Sequence, residues 1–419
     1  MSRLRFTKVA APSAPAANKS EVYIDTTDRR PKAIDDNGVI STLSSDGQKD
    51  RNIITNGGMM VQQRVATAST LIPSLSTTTR GGQVADCWAV TTSVATNLNW
   101  AQIDTNGAQD TGLQSRYYGS IISSTAGKKV MLSQWILSSE MSHLRGQKVR
   151  VSLKHNQKVG SGQTYKLGLL QLNVSGTVDV SPAFLSGAWS TTTGTDPAWG
   201  TNLAAITPDA SPTGEGGTIT GAYLNVTTVA TTWTKSSCVF SVPTNAKNLV
   251  VVFFADATGG TTDNISISEV QMTQNTEIID WVEPPLADTF YRCQRRFCKS
   301  FPLTTVPAAS VSEANGGSGA SGILGKSGSG TALGSQISIQ FPVQMWKAPT
   351  LTYFTPTAAG SSVYRLSGTT PAVQGTTASR TSSLTDRGVV CTATNEATTN
   401  GAVGDLVAVH YTADAEIVA

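Results

Sequence analysis

The sequence predicts an all-β chain, and three observations predict it. Charged residues make up 14% and hydrophobic residues 39% of the 419 residues, against about 25% charge in ordinary globular chains. Thr, Ser, Gly and Ala fill the difference, and Thr suits strands while Gly and Ser suit turns. Apolar and polar residues alternate at period two in segment after segment, whereas one stretch alone carries a helical period. The chain divides into an N-terminal hairpin unit over residues 1–50, a large β domain over 51–285, and a linker helix with a smaller distal β domain over 286–419.

In the N-terminal unit, Pro12 and Pro15 make the approach extended. Val22, Tyr23 and Ile24 read as a short strand, Lys32 to Ile34 as a second, and Asp36-Asn37-Gly38 as a hairpin turn leading to Val39 and a third. About 50 residues cannot bury enough apolar area to be stable alone. The unit is therefore expected to fold against copies of itself or to dock on a partner.

In the large domain, Val149, Val151 and Leu153 alternate with Arg150, Ser152 and Lys154, giving one buried and one wet face. Tyr165 to Val174 and Cys238 to Val242 add two further strands. Leu249 to Phe254 is continuously apolar, as for a central strand. Ile265 and Ile267 alternate with serines, the phase slips at Glu269, and it resumes at Val270 and Met272, which predicts a β-bulge. Ser190 to Gly217 is long and polar, the pattern of a surface excursion, and such excursions often carry binding.

Over residues 286–299, Leu286, Phe290, Cys293 and Phe297 fall on one helical face, with Pro284-Pro285 before them and Asp288 as a candidate cap. Beyond it, Gly316 to Gly330 reads as a Gly/Ser loop. Ile337 to Val343, Leu351 to Phe354, Val363 to Leu366, Gly388 to Thr392 and Leu406 to Tyr411 read as strands.

Several function classes fit poorly. A net charge of +3 over this length implies no pull toward nucleic acid. No apolar run approaches the ~20 residues that span a bilayer, so no membrane insertion is expected. Met1 to Pro15 lacks the apolar core of a signal peptide, so export by the general secretory route is not expected. The five cysteines, at 87, 238, 293, 298 and 391, match no zinc spacing and read as buried free thiols of a protein assembled in a reducing cytoplasm. His143, His155 and His410 form no metal-binding pair. Gly325-Lys326-Ser327 lacks the upstream glycine and the strand–helix context of a phosphate loop. No serine stands in a nucleophile elbow, and the acidic residues are too scattered for a glycosidase pair. The chain reads as no enzyme, with no cofactor and no metal. A sugar surface needs aromatic faces with polar rims. Trp100, Trp135, Tyr117, Tyr118, Trp189 and Trp199 supply candidates. Trp189 and Trp199, in or beside the polar excursion, form the pair expected to be most exposed; they either contact sugar or pack the excursion onto the domain.

A series of motifs carries a resemblance. It runs from Asn52-Ile53-Ile54-Thr55-Asn56-Gly57-Gly58-Met59-Met60-Val61-Gln62-Gln63-Arg64 and Ala85-Asp86-Cys87-Trp88, through Leu144-Arg145-Gly146-Gln147-Lys148-Val149, Trp233-Thr234-Lys235 and Phe240-Ser241-Val242-Pro243. It continues with Ile265 to Met272, Trp281-Val282-Glu283-Pro284, Tyr291-Arg292-Cys293-Gln294-Arg295-Arg296-Phe297 and Ile339 to Thr350. In this order, across residues 52–350, they resemble tail-fibre, appendage and other virion proteins of tailed bacteriophages. The N-terminal unit is similar to the hairpin anchors of phage fibres, which assigns virion anchoring to Val22, Tyr23, Ile24, Ile34 and Val39.

The resemblance implies a jelly-roll β-sandwich of carbohydrate-binding-module type for the central domain, a homotrimer, and a place on the virion after assembly in the host bacterial cytoplasm. It implies other virion proteins as partners of residues 1–50 and host surface glycans as partners of the β domains. Such modules often hold a structural calcium between an acidic residue in the opening segment and another near the last strand. Here the opening reads Asn56-Gly57-Gly58-Met59-Met60, without a carboxylate, while Asp256 and Asp263 are expected to face solvent in turns. The expected function is a non-enzymatic virion fibre, spike or appendage subunit. The alternatives are a lectin-like receptor-binding module and a capsid or collar decoration protein.

Overall fold

The computed structural model describes residues 8–9, 13, 15–16, 21–25, 31–34, 40–42, 51–64, 70–75, 82–93, 96–105, 112–123, 127–159, 163–173, 184–210, 215–227, 232–258, 264–274, 279–303, 305–307, 335–354, 364–366, 372–373, 380–393, 406–408 and 410–416. Strands dominate them, in several sheets.

Glu21–Asp25, Pro31–Ile34 and Ile40–Thr42 pair antiparallel in succession, the expected order. Lys8–Val9 adds a parallel edge that two residues could not announce by period. Tyr23 and Ile34 are buried. Val22 and Ile24 lie in the first long strand, but their side chains, the Asp36-Asn37-Gly38 turn and Val39 lie outside the described residues.

The central domain is a β-sandwich. One sheet has six strands in the order Thr234–Ser241, Lys148–Val159, Asn264–Thr273, Tyr117–Ser123, Thr96–Asp104, Thr70–Leu75. The other has seven: Thr218–Thr220, Tyr223–Thr227, Thr164–Leu172, Asn248–Ala255, Val130–Ile136 and Ala89–Thr92 in order, with Leu203–Ile206 also pairing on Thr164–Leu172. Between the sheets, Val149, Val151 and Leu153 meet Leu167, Leu169, Leu249, Val251 and Phe253. Both sides of Asn248–Ala255 are buried, because Val250, Val252 and Phe254 belong to a second core on the outer side of the seven-stranded sheet. The continuous apolar run is thus a two-faced strand.

The slip at Glu269 is a bulge. Ser152 pairs with Gln271 and Lys154 with Ser268, so two residues, Glu269 and Val270, oppose Leu153 alone. Glu269 takes a left-handed backbone, with φ of 52°. The opening motif fits against this irregularity. Val270 N–H donates to Gly57 O at 3.0 Å and Ile53 N–H to Met272 O at 2.9 Å. The Asn52 amide spans the same edge, its Nδ2 donating to Val270 O and its Oδ1 accepting from Met272 N–H, both at 3.0 Å.

The helix runs over Leu286–Gln294, starting after Pro285 with no side-chain cap from Asp288. Its apolar face is shorter than expected. Cys293 is buried, but Leu286 is 48% exposed. Phe297 has left the helix for strand Phe297–Lys299, which pairs with His410–Asp414. A buried aromatic satisfies either element, and long-range pairing decides between them. Three three-stranded sheets follow: Phe297–Lys299, His410–Asp414, Thr350–Phe354; Ser335–Gln340, Gly388–Ala393, Arg380–Leu384; and Ala372–Val373, Tyr364–Leu366, Leu406–Ala408. The stretch expected as one strand from Leu406 to Tyr411 is therefore two strands in different sheets. Gly316–Gly330 lies outside the described residues.

Candidate functional site: a covered sheet face and an interdomain joint

The outer face of the seven-stranded sheet is a broad apolar floor of Met131, Trp135, Leu170, Leu172, Val250, Val252 and Phe254. Residues 184–199 lie over it, through Phe184, Leu185, Trp189 and Trp199. Trp189 and Tyr223 meet Phe254 edge-on at centroid distances of 5.7 and 5.1 Å, and Trp199 meets Phe254 at 6.1 Å. Phe184 packs on Trp199 at 5.6 Å. The indole N–H of Trp199 donates to Tyr223 Oη at 2.8 Å, and burial pushes the Tyr223 phenol up to about 12.

Two lysines clamp this cover from the sheet. Lys129 Nζ donates to Thr192 O at 2.6 Å and Thr195 O at 2.9 Å, and stands over the Trp189 ring at 5.6 Å. Lys166 Nζ pairs with Asp196 at 2.6 Å and Asp256 at 2.7 Å. Burial works against the Lys166 charge, yet hydrogen bonds to the two carboxylates raise its pKa.

The expectation that Trp189 and Trp199 are exposed is therefore corrected. Trp189 is 2% exposed and Trp199 is half-buried. Of the two roles open to them, the one the geometry shows is packing the excursion. Asp256, expected in solvent, is an ion-pair partner. Phe184 and Leu185, just before the polar stretch, and the apolar Leu203–Ile206 strand within it were the signal that it packs on the sheet. Trp100 and Trp135 are buried, as are Trp88, Trp233 and Trp281. Tyr118 is buried edge-on against Trp233 at 5.3 Å, and Tyr117 is half-buried with the Arg116 guanidinium over its ring at 5.1 Å.

Glu269, at the bulge, is buried. Its Oε1 accepts the backbone N–H groups of Gln114 and Ser115, and its Oε2 pairs with Lys154 Nζ at 2.9 Å. The carboxylate thus faces two N–H donors and an ammonium. Among the described residues, no group of three or more His, Cys, Asp or Glu is placed to hold a metal ion. The histidines stand apart: His155 contacts Ser236 Oγ at 2.9 Å and His410 contacts Ser300 Oγ at 3.0 Å, while His143 is exposed.

The motifs scattered along the sequence meet at the joint between the sandwich and the distal sheets. Arg64 forms a two-pronged ion pair with Asp414, with Nη2 to Oδ1 at 3.1 Å, and its guanidinium lies 3.8 Å over the Phe297 ring. Gln63 holds Asp86 through its backbone N–H at 3.0 Å and its side-chain amide at 2.5 Å. Burial raises the Asp86 carboxyl, with Arg64 opposing. Arg296 donates to Trp135 O at 2.9 Å and pairs with Glu140 at 2.7 Å. Arg292 donates to Ile53 O at 2.7 Å. Lys299 Nζ gathers the carbonyls of Gln63, Leu303 and Thr305 at 2.7, 2.9 and 2.6 Å, and burial lowers its pKa to about 8. Trp346 N–H donates to Arg295 O at 3.1 Å and Ala415 N–H to Arg296 O at 2.8 Å.

Two open clefts lie on the distal side. One of about 360 Å³ is lined by Arg64, Phe297, Thr350, Thr352, Phe354 and Asp414 among others. It combines aromatic rims, hydroxyls and an ion pair. The second, of about 550 Å³, is lined by Ile339, Phe341, Gln344, Arg387 and their neighbours. Neither holds two facing carboxylates among its described residues.

No family model matches the chain. No curated protein matches it either. Solved structures give faint likenesses. A putative sugar binding protein from Bacteroides thetaiotaomicron is 13% identical, over 54% of this chain and 100% of that one, with a TM-score of 0.29. The N-terminal modules of a Clostridium thermocellum endo-1,4-beta-D-xylanase, complexed with xylohexaose, are 12% identical over 52% of this chain and 30% of that one, at 0.27. The enzymatically active domain of bacteriophage CBA120 tailspike protein 4 is 14% identical over 53% of this chain and 21% of that one, at 0.27. At these TM-scores the likenesses carry no functional argument.

Proposed function

We propose that this chain is a non-enzymatic structural subunit of a phage virion fibre, spike or appendage, anchored by residues 1–50 and projecting its β domains for adhesion to the host surface. The observation that carries this reading is the covered sheet face. The broad apolar floor of the sandwich is covered by the chain's own residues 184–199 and clamped by Lys129 and Lys166, so the sandwich serves as a solid spacer. The joint supports the same reading, because buried ion pairs and backbone hydrogen bonds tie the sandwich to the distal sheets. The motifs that resemble fibre and appendage proteins supply this joint. In this reading the chain works as a homotrimer on the virion, after assembly in the host cytoplasm, and weak contacts from identical copies add through effective concentration.

A second reading, a lectin-like receptor-binding module, is favoured by the cleft beside Arg64 and Asp414, where aromatic rims and hydroxyls suit sugar. One experiment bears on both. Purified protein is mixed with soluble bacterial surface polysaccharide, and retention and new reducing ends are measured. Retention without new reducing ends is expected. New reducing ends would replace the non-enzymatic reading with a depolymerase.

A further inference from the structure

We infer that Cys87 and Cys293 form a latent cross-link site, which becomes an intramolecular disulfide when the folded protein meets a low-molecular-weight disulfide such as oxidised glutathione. The two sulfurs lie 4.0 Å apart although 206 residues separate them in the chain. Both are buried thiols with no disulfide between them, in a small core of their own with Val61, Met60 and Phe290. A disulfide needs about 2 Å between sulfurs, so side-chain rotation and a small approach close the gap. The other described thiols are elsewhere, Cys238 in the sandwich core and Cys298 in the distal core.

Cys87 is also one of four described non-glycine residues with a left-handed backbone, with Asn56, Met59 and Glu269. Cys87 has φ of 72°, a left-handed conformation uncommon for any residue but glycine. It is held there by Trp88 N–H donating to Ala85 O at 2.9 Å and Asp86 N–H donating to Val61 O at 3.2 Å. Its partner sits near the end of the helix, three residues before Arg296, which is anchored on Trp135 O and Glu140. A bond between the sulfurs would tie the sandwich covalently to the segment that leads into the distal sheets.

The chemistry balances as two thiol–disulfide exchanges. One protein thiolate attacks a sulfur of oxidised glutathione and expels a glutathione thiolate, leaving a mixed disulfide. The second protein thiolate attacks the protein-side sulfur of that bond and expels the second glutathione. Two protein thiols lose two protons and two electrons, and one glutathione disulfide becomes two thiols. Burial, followed by the contact with Cys87, raises the Cys293 thiol, so exchange proceeds through brief local openings and is slow in the closed joint. The inference rests on the proposed function only for where the oxidant is met, after release from the reducing cytoplasm.

The test uses the full chain, folded under reducing conditions and then held in oxidised glutathione, with and without sub-denaturing urea to rule out simple inaccessibility. Thiols are counted after denaturation, and peptides are mapped by mass spectrometry without reduction. The count is expected to fall from five to three, with one linked peptide pair containing Cys87 and Cys293, and dithiothreitol restores five. Cys87→Ser and Cys293→Ser variants are each expected to keep their four thiols. Five thiols retained in both conditions, or a link between any other pair or between chains, would overturn the inference. None of these outcomes depends on whether the chain belongs to a virion.

Discussion

Gly57 is pressed onto Val270. Its carbonyl accepts the Val270 N–H at 3.0 Å, and a β-carbon at position 57 would stand 2.0 Å from Val270 O. The glycine and the bulge are complementary: the extra residue at Glu269–Val270 bends the strand, and only a residue without a side chain fits against it. Gly57→Ala is therefore expected to cost about 1–3 kcal/mol, the range for overpacking a tight site. Urea unfolding checks this as a lower midpoint at unchanged slope. Gly187→Ala, where a β-carbon would meet nothing within 4 Å, is the neutral control.

The cover on the seven-stranded sheet depends on Trp189 as its anchor. Trp189→Ala is expected to cost about 3–5 kcal/mol if the site does not collapse. Protease cleavage within residues 190–196 is expected to speed up, and binding of an apolar dye to rise as the floor around Phe254 is uncovered. Lys166→Met, which removes the partner of Asp196 and Asp256, is expected to speed the same cleavage without the dye signal.

At the joint, burial alone would raise the Asp414 carboxyl, but the Arg64 charge and hydrogen bond override it and lower its pKa. A carboxylate held below its unfolded value stabilises the fold above that value, and the contribution is lost as pH falls through the folded pKa. Arg64→Met leaves Asp414 charged and unpaired, so a loss of about 3–5 kcal/mol is expected near neutrality. Measured by urea unfolding, the gap between wild type and variant is expected to shrink below about pH 4.

His155 gives the same direction of pH dependence from a group that is neutral in the fold. Its Nε2 contacts Ser236 Oγ, while Nδ1 is buried without a hydrogen-bond partner, and burial pushes its pKa down to about 4. The unfolded chain takes up the proton near pH 6.5 and the folded chain does not. Stability is thus expected to fall between pH 6.5 and about 4, by about 3 kcal/mol in all. His155→Gln keeps a donor for Ser236 and is expected to flatten that part of the profile.

Local pattern made much of this fold legible. The break in period two at Glu269 gave away the bulge, and the unbroken run at Leu249–Phe254 gave away a strand buried on both faces. What pattern could not reveal was partnership at long range. Trp189 and Trp199 sit in polar surroundings without a period, and nothing near them announces Lys129, Lys166 or Phe254. Phe297 satisfies a helical spacing and a strand equally, and its pairing with Asp414 decides. Arg64 and Asp414 are 350 residues apart, so the joint was visible only as separate motifs whose shared purpose is spatial.

A fibre subunit works in copies. Val282 and Tyr291, beside and on the linker helix, leave 80% and 54% of their surface exposed, and the low charge leaves strand edges with little protection. The most direct measurement is the mass in solution by light scattering, for the full chain and for residues 51–419. Three chains per particle are expected in both, with assembly contacts in the β domains and the first 50 residues free to dock. A single chain per particle in both would contradict the fibre reading and leave a monomeric binding or decoration module.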